Sequence, residues 1–240
     1  MNLNVKARLV AAICQFKAER DIRYYLNGVY VEPIETGGVL IVATNGHAMG
    51  IWRDLSGKIE RPAILRIGKK LEAACAGSDL KRLRIIDDRL AVVIDPAKDS
   101  KGTQAALSEV YVQNKHSDKP GSWEVEGKFP NWKRVIPSQA SGLMLHDALH
   151  PDYVALAEKA IRLGNGTKFI GISFIQPNKN DGIAVIANGT ADFFGIIMPL
   201  REVSTQYPEW VNTLKAATTE EVPLPEQQPS DAAPQEGGAA

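Results

Sequence analysis

Residues 20–53 read RDIRYYLNGVYVEPIETGGVLIVATNGHAMGIWR, and this stretch decides the fold. Its bulky apolar residues predict two strands, at 24–31 and 39–52. The second strand is interrupted by Thr44-Asn45-Gly46-His47, and an Asn-Gly pair inside a strand pattern predicts a bulge or tight turn. Such a turn directs side chains outward at one place. Small polar groups beside exposed Leu and Met side chains suit a docking surface better than a catalytic centre.

The same grouping of a strand, a helix and three strands can be followed three times along the chain, which predicts an α+β fold. In the first helix Leu9, Ile13 and Phe16 share one face, and Ala12 and Gln15 lie opposite. Each unit is expected to pack one helix on a small antiparallel sheet. Because one unit cannot bury its apolar surface alone, neighbouring units are expected to cover each other. The helices are predicted at 7–17, 69–76 and 151–163. The strands are predicted at 3–5, 24–31, 39–52, 62–67, 83–87, 89–94, 105–113, 142–146, 169–176, 182–188 and 191–199.

The composition limits the classes of function. Among 240 residues, 28 Lys and Arg balance 28 Asp and Glu, which argues against a general nucleic-acid coat but not against a local basic lining around DNA. Cys14 and Cys75 lie in apolar helical patterns without metal-type spacing, which fits a reducing cytoplasm. We identify no N-terminal signal and no apolar run of bilayer length. A cytoplasmic location is therefore expected.

The stretch 20–53 resembles the middle domain of the bacterial DNA polymerase III beta subunit, the replicative sliding clamp. Members of that family carry RYYLNG followed by an ATDGHRL-like turn. Two further motifs follow in the family's order: residues 127–135 read GKFPNWKRV, similar to GRFPDYRRV, and residues 196–201 read IIMPLR, similar to VVMPMR. The resemblance covers about residues 5–201. It implies a DNA-clamp (processivity-fold) architecture without catalytic activity or a cofactor.

The resemblance also implies a domain organisation. In the family two units form a domain, three domains form a subunit, and two subunits form a ring. Residues 1–138 resemble the complete middle domain, and residues 139–202 resemble the second half of the last domain. A short helical extension is expected at 203–217 and a disordered acidic Pro/Gln/Ala tail at 218–240. Twelve units would need four chains, so a closed homo-oligomeric ring is one possible assembly.

In the family, an apolar cleft receives short linear motifs of polymerases, clamp loaders and repair proteins. Here apolar side chains would form its floor, and Met adapts to different ligands. Arg and His at the rim would hold peptide carbonyls or a carboxylate. The alternative is that Leu26, Val135 and Ile196 are ordinary core residues and that His47 is a structural histidine. The resemblance assigns the groove to Arg23, Leu26, Thr44, His47, Met49, Pro130, Arg134, Val135, Ile196, Met198, Pro199 and Arg201.

Contact with DNA would follow from basic side chains on the helices, which in the family face phosphates without reading sequence. Acidic neighbours dilute these faces, so a solvated helix surface explains them equally well. The cluster Lys81, Arg82 and Arg84 is interpreted as charge that guards a hairpin edge. The candidate DNA-binding residues are Lys6 and Arg8 at the first helix, Lys69 and Lys70 on the second, and Lys159 and Arg162 on the third.

Enzymatic alternatives have little support in the sequence. His146 and His150 have the i, i+4 spacing of a helical metal site, but they lack an accompanying Glu, and Pro151 places them before a helix. The sequence therefore predicts a non-catalytic, sliding-clamp-like processivity or recruitment factor of bacterial, phage or plasmid origin. It would bind polymerase-type partners and, in a closed ring, duplex DNA. The alternative is a clamp-mimicking regulator that binds partner peptides without encircling DNA.

Overall fold

The computed structural model describes residues 1–86, 89–94, 108–112, 123–137, 147–166 and 171–200, all within one compact unit, Met1–Val203. The helices are α1 (Ala7–Ile13), α2 (Lys69–Cys75) and α3 (Pro151–Asn165), with 3₁₀ turns at Cys14–Phe16, Tyr24–Asn27 and Trp132–Val135. The strands are β1 (Leu3–Lys6), β2 (Val29–Pro33), β3 (Val39–Thr44), β4 (Ala48–Asp54), β5 (Lys58–Ile59), β6 (Ala63–Leu65), β7 (Lys81–Ile86), β8 (Arg89–Ile94), β9 (Ser108–Val112), β10 (Gly171–Ile175), β11 (Ile183–Asn188) and β12 (Phe193–Ile197). The strand predicted at 142–146, the helical extension at 203–217 and the tail at 218–240 lie outside the described residues.

The strands form two antiparallel sheets that join the three units. One sheet has the order β5-β1-β7-β8-β9, and the other has the order β10-β11-β12-β4-β3-β2-β6. The first two units exchange strands: β1, which leads into α1, pairs with β7, and β6, which precedes α2, pairs with β2. The third unit joins through β12, which pairs with β4. The larger sheet is therefore continuous between the segments predicted as a full domain and a half domain.

Helix α1 is buried on almost every side, which corrects the amphipathic pattern predicted for it. Ala12 was placed on the open face, but it is fully buried with Leu9 and Ile13. The cause is that α1 contacts both α2 and α3. Within α1 only Arg8 is partly exposed. A single helix would have left one face in solvent, and the third unit covers that face.

The two faces of the seven-stranded sheet serve different cores. Ala48 and Ile197 face the large core that includes the helices. Their neighbours Met49 and Ile196 face a second, smaller apolar cluster, because successive side chains of a strand point to opposite faces. This second cluster also contains Leu26, Phe129 and Trp132, so all three sequence motifs converge on it.

The strand predicted at 24–31 begins only at Val29. Residues Tyr24–Asn27 form a 3₁₀ turn instead, in which the Leu26 amide donates to the Arg23 carbonyl at 2.8 Å. The Asn27 side chain holds the preceding loop, since it accepts from the Asp21 amide and donates to the Asp21 carbonyl, both at 2.9 Å. The apolar spacing at this point reflects Leu26 packing on the second cluster and does not reflect a pleated strand.

The interpretation of Arg82 as an edge charge is wrong. Strand β7 lies inside its sheet between β1 and β8, and the Arg82 side chain is buried. Its guanidinium donates to the Asn4 side-chain oxygen and to Ser56 Oγ, both at 2.9 Å, and lies 3.8 Å from buried Asp54. Asp54 Oδ2 also accepts from the Lys6 amide at 2.8 Å. This buried polar cluster links the two sheets.

Candidate functional site

A cleft of about 220 Å³ opens over the second apolar cluster, on the face of the larger sheet opposite the helical core. It brings together residues from all the predicted groove segments. Of the predicted residues, exposed Arg134 and partly buried Pro199 are not among its lining, and Arg201 lies outside the described residues. The lining residues are Arg23, Tyr25, Leu26, Thr44, Gly46, His47, Ala48, Met49, Pro130, Asn131, Trp132, Val135, Ile196 and Met198.

The floor of the cleft is also part of the protein core. Leu26, Met49 and Ile196 are 2%, 4% and 1% exposed, and each packs within the second cluster. At the rim, Val135 is 48% exposed and Met198 is 40% exposed. Leu26, Met49 and Ile196 therefore belong to the core and also line the cleft. The rim of the cleft therefore leaves two large apolar side chains partly in solvent.

The turn between β3 and β4 forms one wall, and its shape is set by local hydrogen bonds. Thr44 Oγ1 donates to the Ala48 carbonyl at 2.9 Å and accepts from the Gly46 amide at 3.0 Å. Asn45 Oδ1 accepts from the amides of His47 and Ala48, each at 2.9 Å. Gly46 has a φ of +92°, a conformation that favours glycine. The shape of this wall is therefore fixed by contacts within the chain.

Long-range contacts hold the turn against its neighbours. The Met198 amide donates to the His47 carbonyl at 2.8 Å, which ties the turn to the end of β12. The His47 ring stacks on Tyr153 of α3, with centroids 5.9 Å apart and planes 8° apart. His47 therefore has a structural contact and also lines the cleft.

Arg23 lies at the rim of the cleft, where it is paired with an acidic neighbour. Its guanidinium forms a two-point contact with Asp21, with Nε at 3.0 Å from Oδ1 and Nη2 at 2.7 Å from Oδ2. The side-chain hydrogen bonds from Arg23 lower the pKa of the Asp21 carboxyl to about 2, so the pair stays ionised at neutral pH. The guanidinium lies over the turn: a Cβ built at Gly46 would be 3.2 Å from Arg23 Nη2.

Several lining residues were missed by the sequence analysis. Tyr25 and Asn131 sit beside residues that the motifs did identify. Trp132 is buried, and it also lines the cleft. A usable signal was present, since Trp132 lies within the motif at 127–135, but periodicity does not show that a 3₁₀ turn carries it to the cleft.

The helical layer contains a wide depression of about 690 Å³, and two of the candidate DNA-binding residues, Lys69 and Lys159, are among its lining. Lys6 lies in β1 and not on α1. Three of the predicted cations have acidic partners: Arg8 contacts Asp79 at 2.5 Å, Lys69 lies 3.7 Å from Glu19, and Arg162 pairs with Glu158. Lys70 is exposed on α2. The structure thus groups only part of the predicted basic set on this face.

The histidines and cysteines considered as metal ligands or nucleophiles have contacts that suit a structural role. His150 Nδ1 accepts from the Asp152 amide at 3.2 Å at the start of α3, and His146 lies outside the described residues. Within the described ranges we find no cluster of three or more His, Cys, Asp or Glu side chains that could hold a metal. Cys14 and Cys75 are free and buried, and burial raises the pKa of both thiols, that of Cys75 to about 12. A thiol held in this neutral form is a poor nucleophile.

Comparison with solved structures shows the fold. The DNA polymerase sliding clamp from Pseudomonas aeruginosa matches with a TM-score of 0.52 and 16% identity over 84% of this chain and 66% of that one. DNA polymerase III subunit beta from Borrelia burgdorferi gives 0.54 and 16% over 85% and 63%, and the beta subunit from Thermotoga maritima gives 0.53 and 13% over 85% and 66%. No family model and no curated protein matches the sequence.

The architecture is therefore that of the sliding clamps, and the α+β clamp fold predicted from the sequence is confirmed. The chain spans about two thirds of the length of the clamps it matches. Among the described residues, no helix is long and apolar enough to cross a membrane.

Proposed function

We propose that this chain is a non-enzymatic recruitment factor of DNA replication that binds polymerase-type partners through the cleft. The observation that carries the proposal is the convergence of three distant segments on one exposed apolar slot, represented by Leu26, Val135 and Met198. These segments are the ones that resemble the peptide groove of the beta clamps. Partners of this kind include polymerases and clamp loaders, and the expected location is the cytoplasm.

The size and chemistry of the cleft suit a short linear peptide. Small-molecule sites usually enclose about 300–1,000 Å³, whereas this cleft has about 220 Å³, enough for a few anchoring side chains. Its apolar floor would take those anchors, and exposed Met198 would adapt to their shape. The Arg23 guanidinium lies at the rim, where the N–H groups that do not contact Asp21 would donate to peptide carbonyls or a carboxylate. The hydrogen-bonded turn lowers the entropic cost of binding because it is already ordered.

The mechanism would be tethering. A factor that holds an enzyme near DNA raises the effective concentration of that enzyme without contributing chemistry. If several chains close into a ring, the exposed lysines of the helical layer would face duplex DNA without reading its sequence.

A second candidate function is a regulator that keeps the cleft, does not encircle DNA, and competes for partner peptides. The acidic partners of Arg8, Lys69 and Arg162 favour it, because an ion-paired cation has less charge to offer to phosphates.

The peptide proposal is tested by the binding of a synthetic clamp-binding peptide, measured by fluorescence anisotropy. Replacing Met198 by Ala should weaken binding by about 1–3 kcal/mol, the usual scale for a buried interface anchor. Leu200→Ala is the matched control, since Leu200 is exposed to the same degree at the end of the same segment but does not line the cleft. Equal affinity of the Met198→Ala variant and the unaltered protein would count against the assigned cleft.

A further inference from the structure

Residues 130–135 form another wall of the cleft, and they lie outside the strands of the sheet. The Trp132 amide donates to the Pro130 carbonyl at 2.8 Å, and the other backbone hydrogen bonds of this wall are equally local. Within the described part of the chain, no backbone hydrogen bond joins residues 130–135 to a strand. Side-chain contacts therefore hold this 130–135 wall against the sheet. Four of its residues line the cleft: Pro130, Asn131, Trp132 and Val135.

Two side-chain contacts of this region lead to one carboxylate, that of Glu32 on β2. Lys133 Nζ lies 2.9 Å from Glu32 Oε1. The Tyr30 hydroxyl donates to Glu32 Oε2 at 3.1 Å. The Tyr30 ring in turn stacks on Phe129, with centroids 4.7 Å apart and planes 2° apart. Phe129 precedes the lining residues 130–132 and Lys133 follows them, so Glu32 is connected to both ends of this stretch.

Lys133 also links this carboxylate to the cleft itself. Its Nζ lies 5.3 Å from the centroid of the Trp132 ring, within the range of a cation–π contact. The Glu32 side chain is only 14% exposed, so its charge depends on these donors more than on water. Burial and the charge of Glu32 raise the pKa of Tyr30 to about 12, so the Tyr30 hydroxyl keeps the proton that it donates.

Glu32 is not among the lining of the cleft, so it can influence a ligand there only through other residues. We propose that Glu32 is a positioning residue of the cleft, which holds the 130–135 wall against the second apolar cluster through Lys133 and Tyr30. This inference rests on the proposed binding of peptides in the same cleft. Without the carboxylate, Lys133 loses its ion partner and the wall is free to move away from the sheet. A peptide then meets a less ordered site and binds more weakly.

The first test uses the full chain and the synthetic clamp-binding peptide of the Met198→Ala experiment. Glu32→Gln keeps the size of the side chain and an acceptor for Tyr30, but it removes the charge that pairs with Lys133. The affinity for the peptide should fall about threefold to tenfold, the scale for loss of one charge-assisted hydrogen bond that is partly exposed. An unchanged affinity would overturn the proposal.

Glu124→Gln is the matched control. Glu124 belongs to the same segment of the chain and forms an ion pair with Arg61, but it does not line the cleft. The Val125 amide donates to the Ile64 carbonyl at 2.8 Å, so the backbone keeps this part of the segment on β6 without the ion pair. The Glu124→Gln variant should therefore bind the peptide as the unaltered protein does.

A double-mutant cycle shows whether Glu32 acts through Lys133. Lys133→Met removes the same ion pair from its other side. In the Lys133→Met background, Glu32→Gln should cause little further loss of affinity, because the contact is already broken. Equal losses in both backgrounds would overturn the proposal, since Glu32 would then act independently of Lys133.

Hydrogen exchange without peptide gives a readout that does not depend on the proposed function. In the Glu32→Gln variant the Trp132 amide should exchange about threefold to tenfold faster, because the wall opens more often. The Ala48 amide, in the turn between β3 and β4, should exchange at an unchanged rate. Unchanged exchange at Trp132 would overturn the proposal. If the unaltered protein bound no peptide, the proposed function would fail, whereas faster exchange at Trp132 would still support the role of Glu32 in holding the wall.

Discussion

Replacing Gly164 by Ala tests how closely α3 must approach the sheet. Gly164 lies on the buried side of α3 and faces Trp52 of β4. A Cβ built at this position would lie 2.3 Å from Trp52 Cζ2 and 2.5 Å from Cε2. Carbon atoms in contact normally lie about 3.5–4.0 Å apart, so the helix or the ring must move by more than about 1 Å. Trp52 is 2% exposed and packs against Phe193 at a centroid distance of 5.3 Å, which leaves the ring no free space.

Two opposing effects determine the sign of the change in stability. Ala is better than Gly in a helix interior by about 1 kcal/mol. Overpacking of a filled core costs about 1–3 kcal/mol, and the size of the required movement places this site in the upper part of that range. We therefore expect the Gly164→Ala variant to lose about 1–2 kcal/mol in its free energy of unfolding. The third unit should be affected with it, because α3 and β12 hold that unit on α1 and β4.

The measurement is urea unfolding followed by circular dichroism. With an m-value of about 2 kcal/mol per molar, the midpoint should fall by roughly 0.5–1 M. Ala155→Gly, at an exposed position of the same helix, calibrates the propensity term alone and should cost about 1 kcal/mol. A midpoint for Gly164→Ala equal to or above that of the unaltered protein would refute the packing argument.

Two further predictions concern pH and DNA. Burial raises the pKa of Cys75 from its ordinary value of 9.0 to about 12. The unfolded chain therefore loses this proton at lower pH than the folded chain, and the free energy of unfolding falls between these two pKa values by up to about 1.4 kcal/mol per pH unit. Cys75→Ala should reduce the decline of the urea midpoint from pH 9 to 11, and an unchanged decline would contradict this prediction. If the helical layer meets phosphates, replacing Lys69, Lys70 and Lys159 by Ala should reduce the salt dependence of binding to circular duplex DNA by about one unit of slope per lost contact. Lys58→Ala on β5 is the control, and absence of binding by the unaltered protein at low salt would favour the regulator.

Apolar periodicity predicted most of the elements because it depends on neighbours in the chain. The three helices, and nearly all of the strands that fall on described residues, appear close to their predicted positions. The motifs at 20–53, 127–135 and 196–201 also indicated which segments belong to one site. The strand prediction failed at residues 24–27, which form a 3₁₀ turn. Leu26 of this turn packs on a distant apolar cluster, so its apolar character resembles that of a buried strand residue.

Partner choice could be decided only by the tertiary structure, because periodicity shows that a face is apolar but not what covers it. The complete burial of Ala12 requires α3, which lies far along the chain. The sequence alone suggests that Arg82 is a surface charge. With β7 placed between two strands, its guanidinium donates instead to distant Asn4 and Ser56. The cleft depends in the same way on the pairing of Met49 with Ile196. Local sequence determined which faces are apolar, and long-range packing and strand pairing determined which of them are covered and which form the cleft.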